Sequence, residues 1–253
     1  MTPPGAGESP PAGAGESPPP GAGESPPPGS WEPPTGPGTR LILVRHGATE
    51  LSAQRRYSGR GNVPLTAQGL AQADAAGRRV AALAATGAGD PVAAVVSSPL
   101  ARCTATAAAI RDALSGVAGE VPVITENDLI ECDFGEWEGH TGDEVRARWP
   151  AEFDAWQRST GVAPSGGESF AQVAQRVRRV VNSLREAYPA ATVVVVSHVS
   201  PLKLILRDAL AAGDGLLRRL FLDAGGISVV DLYPGGAVAV RAVNDTSHLL
   251  WHS

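Results

Sequence analysis

Lysine is nearly missing from this chain: of its 21 basic residues, 20 are arginine. A planar guanidinium suits bidentate contact with phosphate oxygens better than an ammonium point charge does, although a GC-rich coding bias towards Arg and Ala explains much of the excess. Cysteine is equally scarce. Cys103 and Cys132 lie far apart with no metal-ligand spacing around them, so neither a disulfide framework nor a thiolate metal site is expected. No apolar run approaches the roughly 20 residues of a membrane span, and no basic-then-apolar leader opens the sequence. The expectation is a soluble cytoplasmic protein with reduced thiols. An excess of one charge is missing too. Four of the net −5 charges fall in the first 38 residues, which leaves 21 basic against 22 acidic side chains in the rest. So neutral a surface offers no broad footprint for nucleic acid or for an anionic membrane. Anion recognition, if present, must be local.

What is present divides sharply. Residues 1–38 hold 13 of the 22 prolines and 9 of the 30 glycines, with Trp31 as their one large apolar residue. GAGESP recurs at 5–10, 13–18 and 21–26, a period of eight with no apolar face to stack. Such a segment cannot bury enough surface to offset the entropy of ordering it, so a disordered tail is expected over 1–38. Residues 39–253 remain for one well-buried α/β domain.

Within that domain Leu41-Ile42-Leu43-Val44, Val92 to Ser97 and Thr192 to Ser197 read as short, branched, buried strands. Helical patterns lie between them. Thr66 is placed to cap a helix with its apolar side on Leu70, Ala73, Val80 and Leu83. Ser98-Pro99 reads as the cap and first turn of a helix reaching about Leu114. Phe170, Val173, Val177, Val180, Val181 and Leu184 recur at helical spacing between Glu168 and Tyr188, and Ser200-Pro201 opens one more helix. Residues 226–232 and 237–243 flank Pro-Gly-Gly as a closing hairpin. The order predicts an α/β fold: a mainly parallel sheet with helices on both faces. Ligands of such sheets bind at the carboxyl ends of the strands.

At those ends stand Arg45-His46-Gly47, Arg102 just after the second strand, and His198. Each alone has an ordinary explanation: a lone Arg-His-Gly is common in such a composition, a histidine after a strand is usually just half-buried, and Arg102 alone reads as a solvated helix residue. Their placement along one sheet edge is harder to dismiss. The ordered motifs LILVRHGATE, YSGRGNVPLTAQGLAQA, SSPLARCTATA, LIECDFGEWEG, SGGES and VVVVSHVSP resemble those of the histidine phosphatase superfamily, the phosphoglycerate mutase-like group. More narrowly, TELSAQRRYSGRGNVPLT is similar to the phosphatase half of actinobacterial fusions of ribonuclease H with an acid phosphatase, itself like the α-ribazole phosphatases. The tail then reads either as the remnant of an interdomain linker or as a mis-set start.

The resemblance implies a phosphomonoesterase needing no metal or cofactor. His46 would be the nucleophile, and Arg45, Arg102 and His198 would surround the transferring phosphoryl group. His198 would help most as a cation, and the helix after it would aim free N–H groups at the anion. Glu131 matches the acid position, although Asp133, Glu136 and Glu138 share its loop and spacing alone does not choose among them. Thr49 and Ser58 fall where relatives supply further phosphate contacts. Arg55, Arg56 and Arg60 are candidates for remote anionic groups or for plain solvation. Two departures stand out: Ser52 where many relatives have Asn, and Val199 where Gly is common. The expected partner is a small phosphorylated substrate, with no nucleic acid and no membrane, and family analogy suggests a homodimer. A mutase that returns the phosphoryl group to its product, and an inactive phospho-ligand-binding module, are the rival readings.

Overall fold

The structure, a computed structural model, describes residues 36–85 and 91–249. All but the last three residues of the expected tail lie outside that range.

Six strands form one sheet in the order β3-β2-β4-β1-β5-β6. They are β1 (Thr39–Arg45), β2 (Val92–Ser97), β3 (Val123–Thr125), β4 (Thr192–Ser197), β5 (Ile227–Leu232) and β6 (Val238–Asp245). The pairs β1–β4, β2–β4 and β2–β3 are parallel, whereas β5 runs antiparallel to both β1 and β6. The sheet is therefore mixed, parallel in its first four strands and closed by the hairpin foreseen around Pro-Gly-Gly.

Alternation along the strands sorts their side chains into two cores. Leu41, Leu43, Val193 and Val195 face one layer, and Ile42, Val44, Val194 and Val196 face the other. The second layer is covered by α2 (Ala67–Ala85) and α3 (Ala101–Ala118). The first is covered by α6 (Phe170–Ala187), α7 (Val199–Ala209) and the segment carrying α4 (Gly142–Arg148) and α5 (Pro150–Arg158). Two four-residue helices, α1 (Glu50–Ala53) and α8 (Leu216–Arg219), sit in connections at the carboxyl edge.

Local chemistry explains the helix starts. Thr66 Oγ1 accepts from Gly69 N at 3.0 Å at the head of α2, and Ser169 forms a reciprocal capping box with Gln172 at the head of α6. Two expectations are corrected. Leu70 is 51% exposed, whereas Ala73 and Val80 are buried as expected, in a stripe completed by Gly69, Ala76 and Gly77. This stripe is small because α2 lies close against α3; a Cβ on Gly77 would stand 2.8 Å from the Ala109 carbonyl oxygen. Ser98 does not cap α3, whose N-cap is Leu100 without a side-chain bond. The Ser98 hydroxyl is spent on His198, which belongs to the site.

Candidate active site

Register builds the site. Arg45 on β1 is paired with Ser197 on β4, so the next residues, His46 and His198, emerge side by side at the carboxyl edge. Their rings meet edge to face, with centroids 5.1 Å apart. Ser197 pairs across that edge again through its carbonyl, which accepts from His46 N at 3.1 Å.

His46 is 5% exposed, and its Nδ1 lies 2.7 Å from the Gly47 carbonyl oxygen. A carbonyl only accepts, so Nδ1 carries the proton and Nε2 keeps its lone pair. Burial, then the Arg45 and Arg102 charges, hold the pKa of His46 well below the ordinary histidine value. The imidazole is thus neutral, with the lone pair on Nε2. Gly47 is needed at a close contact, although with the protein itself: a Cβ there would lie 2.1 Å from the Gly69 carbonyl oxygen, and a Cβ on Gly69 would lie 2.0 Å from that of Ala48. The loop that follows His46 is seated directly on the backbone of α2.

Arg102 is 1% exposed, and all three of its nitrogens bond protein acceptors with one Nη1–H left over. Its Nη1 donates to Gly61 O at 2.8 Å, its Nη2 to Gly59 O at 2.7 Å, and its Nε to His198 Nδ1 at 3.2 Å. Because guanidinium can only donate, His198 accepts at Nδ1 and bears its proton on Nε2, 2.7 Å from Ser98 Oγ. His198 is neutral here rather than a cation. Burial, then His46, Arg102 and Arg45, keep its pKa well below the usual range. Arg45 gives an Nη1 hydrogen bond to the Leu222 carbonyl, while its buried Nε has no protein partner.

The family model for the histidine phosphatase superfamily (branch 1) matches residues 41–246. The chain belongs to this superfamily. It is 47% identical over 224 residues to the bifunctional protein Rv2228c of Mycobacterium tuberculosis, covering 85% of this chain and 58% of that one. The chain thus spans little more than half the length of that relative. It is 30% identical over 211 residues to phosphoserine phosphatase 1 of Hydrogenobacter thermophilus, 83% of this chain and 94% of the relative. Phosphoglycerate mutases are among its relatives as well. Among solved structures, YhfR of Bacillus stearothermophilus superposes with a TM-score of 0.72 at 30% identity, over 83% of this chain and 98% of that one.

In this superfamily member the acidic loop sorts itself by burial. Glu131 is 5% exposed and lines the same cavity as Arg45 and His46. Its Oε1 accepts from Cys132 N at 2.8 Å and from Ser200 N at 3.2 Å. The free N–H groups expected at the head of α7 are therefore partly taken by this carboxylate. Burial raises the Glu131 pKa against those hydrogen bonds. Its competitors point elsewhere: Asp133 accepts from Gly135 N, Glu138 accepts from Arg60 N, and Glu136 is exposed.

Thr49 and Ser58 both line the cavity. Thr49 Oγ1 caps α1 by accepting from Ser52 N, with Ser52 Oγ accepting in return from Thr49 N at 2.8 Å. Ser52 thus serves this cap. The Ser58 hydroxyl is buried with no protein partner. Arg56 is tied to Gly139 O and Glu144, and Arg60 to Glu168 and Asp133, while Arg55 extends exposed at the cavity mouth.

Sequence reasoning missed Ser98, Arg176 and the cavity's outer wall. Arg176 binds Glu168 in a fork at 3.0 Å to each oxygen and donates to the carbonyls of Asp128 and Glu131, so it fixes the backbone that carries Glu131. Its signal was available: it stands on the apolar stripe of α6 between Val173 and Val180, where a charge needs a partner.

Proposed function

We propose that this chain hydrolyses phosphomonoesters through a phosphohistidine on His46, without a metal ion. The observation that carries the proposal is the His46 tautomer: Nδ1–H held on Gly47 O leaves an Nε2 lone pair on a ring that meets His198 and feels the Arg45 and Arg102 charges. Membership of the superfamily, and a phosphatase among the relatives, support it.

In the first displacement the Nε2 lone pair forms the N–P bond as the bond from phosphorus to the leaving oxygen breaks. Glu131, whose pKa burial raises, gives that oxygen its proton. In the second, water attacks phosphorus, the Glu131 carboxylate takes the water proton, and the P–N bond returns its electron pair to Nε2. Alcohol and inorganic phosphate leave. Arg45, the remaining Nη1–H of Arg102 and the Ser58 hydroxyl are the donors for the non-bridging oxygens, and the Nε2–H of His198 joins them by leaving Ser98 Oγ; preorganised donors of this kind are each worth about 2.7–4 kcal/mol in the transition state.

The first test is phosphate release from p-nitrophenyl phosphate in excess EDTA. Wild type should turn over and His46→Ala should not. Turnover that survives in His46→Ala, or that disappears with EDTA, would overturn this mechanism. Mutases among the relatives favour phosphoglycerate mutase transfer as the second reading; interconversion of phosphoglycerates faster than their hydrolysis would select it.

A further inference from the structure

The cavity of about 630 Å³ extends well past the residues assigned to the phosphoryl group. It is lined further by aromatic side chains and by one face of α7. We propose that Lys203 makes this cleft selective for phosphomonoesters whose leaving group carries a second anion, a carboxylate being the simplest. The anion would sit at Lys203 Nζ with the body of the leaving group against the aromatic side chains. The inference rests on the phosphatase reading above.

Lys203 is the only lysine in the chain. It follows Val199 by four residues and Ser200 by three on α7, so all three share one helical face. All three line the cavity. The Lys203 side chain is half-buried, and its Nζ makes one protein hydrogen bond, to Leu217 O at 2.8 Å. An ammonium carries three N–H groups. Two are left, and among the described residues no carboxylate forms an ion pair with it. Buried charges are ordinarily paired, and burial here works against the lysine's charge.

Charge balance points the same way. Arg45 and Arg102 match a phosphoryl dianion. Glu131 is the one carboxylate lining the cavity, and as the acid it enters the reaction neutral. Lys203 then lacks a counter-charge until the leaving group brings one. Arg55, unpaired at the mouth, adds to that excess. The same cavity is lined by four aromatic rings, of which Tyr57 meets Phe134 at 4.8 Å between centroids and Trp156 meets Phe170 at 5.2 Å.

The test compares kcat/KM for 3- and 4-carboxyphenyl phosphate with that for their neutral carboxamides in wild type, Lys203→Met and Lys203→Arg. Wild type should favour the carboxylate over its carboxamide by about tenfold or more at one of the two ring positions, the range of a charge-assisted hydrogen bond. That ratio should fall to near one in Lys203→Met and recover in part in Lys203→Arg. A lysine serving only as a strut to Leu217 would lower both esters together and leave the ratio in place, which would overturn the inference. Equal hydrolysis of both esters by wild type would sink it alone. No hydrolysis of any ester by wild type would sink the phosphatase reading and this inference together.

Discussion

Arg102→Ala separates what this arginine does for the fold from what it does for the reaction. Its guanidinium ties together three elements: α3, on which it sits, the loop carbonyls of Gly59 and Gly61, and the His198 ring after β4. Two of these bonds, at 2.7 and 2.8 Å, are charge-assisted and shielded from water. Such bonds are worth about 1.5–3 kcal/mol each, and recovered desolvation of the arginine offsets part of that. The expected loss of stability is about 2–4 kcal/mol. For a domain of this size it corresponds to a fall in Tm of roughly 5–15 °C. Loss of a preorganised donor should lower kcat/KM for p-nitrophenyl phosphate a further ~100- to 1,000-fold at temperatures where the variant is folded. Arg102→Lys keeps the charge but cannot reach two carbonyls and an imidazole at once, so it should recover stability and rate only in part. Thermal melts and steady-state kinetics give both numbers, and hydrogen exchange should report opening of residues 58–61. An Arg102→Ala protein that melts lower yet keeps kcat/KM within about fivefold of wild type would refute the assigned role, leaving Arg102 as a structural clamp.

Two further outcomes follow from the buried titratable groups. Glu131→Gln should leave p-nitrophenyl phosphate, with its good leaving group, only mildly affected, yet slow an alkyl phosphate by about 100-fold or more; equal effects on both would remove Glu131 as the acid. Stability should fall as pH drops below about 6.5. His46 and His198 have folded pKa values below their unfolded ones, so the unfolded chain binds protons first, and each contributes up to about 1.4 kcal/mol of lost stability per pH unit. Glu131, with its raised folded pKa, runs the opposite way and offsets one of them across the range between its unfolded and folded values. A urea midpoint that stays flat from pH 7.5 to 5.5 would contradict this balance.

The central strands were readable because β1, β2 and β4 are buried on both faces and therefore appear as unbroken branched runs. β3 was not readable: all three of its residues are exposed, and it carries no contrast between faces. Leu70 misled because apolar periodicity marks a stripe, whereas close helix packing on α2 selects glycine and alanine for contact. At the site, His46, Arg45, Arg102 and His198 stood in local motifs beside predicted strand ends, and Glu131 was picked from its acidic loop by resemblance alone. Trp156, Phe170, Lys203 and Leu222 stand in no motif and reach the cavity from four separate segments, so only the fold brings them in. The His198 tautomer was equally out of reach, since it depends on Ser98 and Arg102 converging on one ring.

The strand order has a consequence for synthesis. β1 and β2 are made early, yet neither touches the other, because β4 lies between them. β4 begins 153 residues after β1, which is roughly 8–30 s of translation at 5–20 residues per second. Throughout that interval the two flanking strands have edges with no partner, and His46 waits for the strand that brings His198. A product cut short before β4 holds two separated pieces of sheet and half of a phosphate site, so premature termination yields an inert chain rather than a weak enzyme.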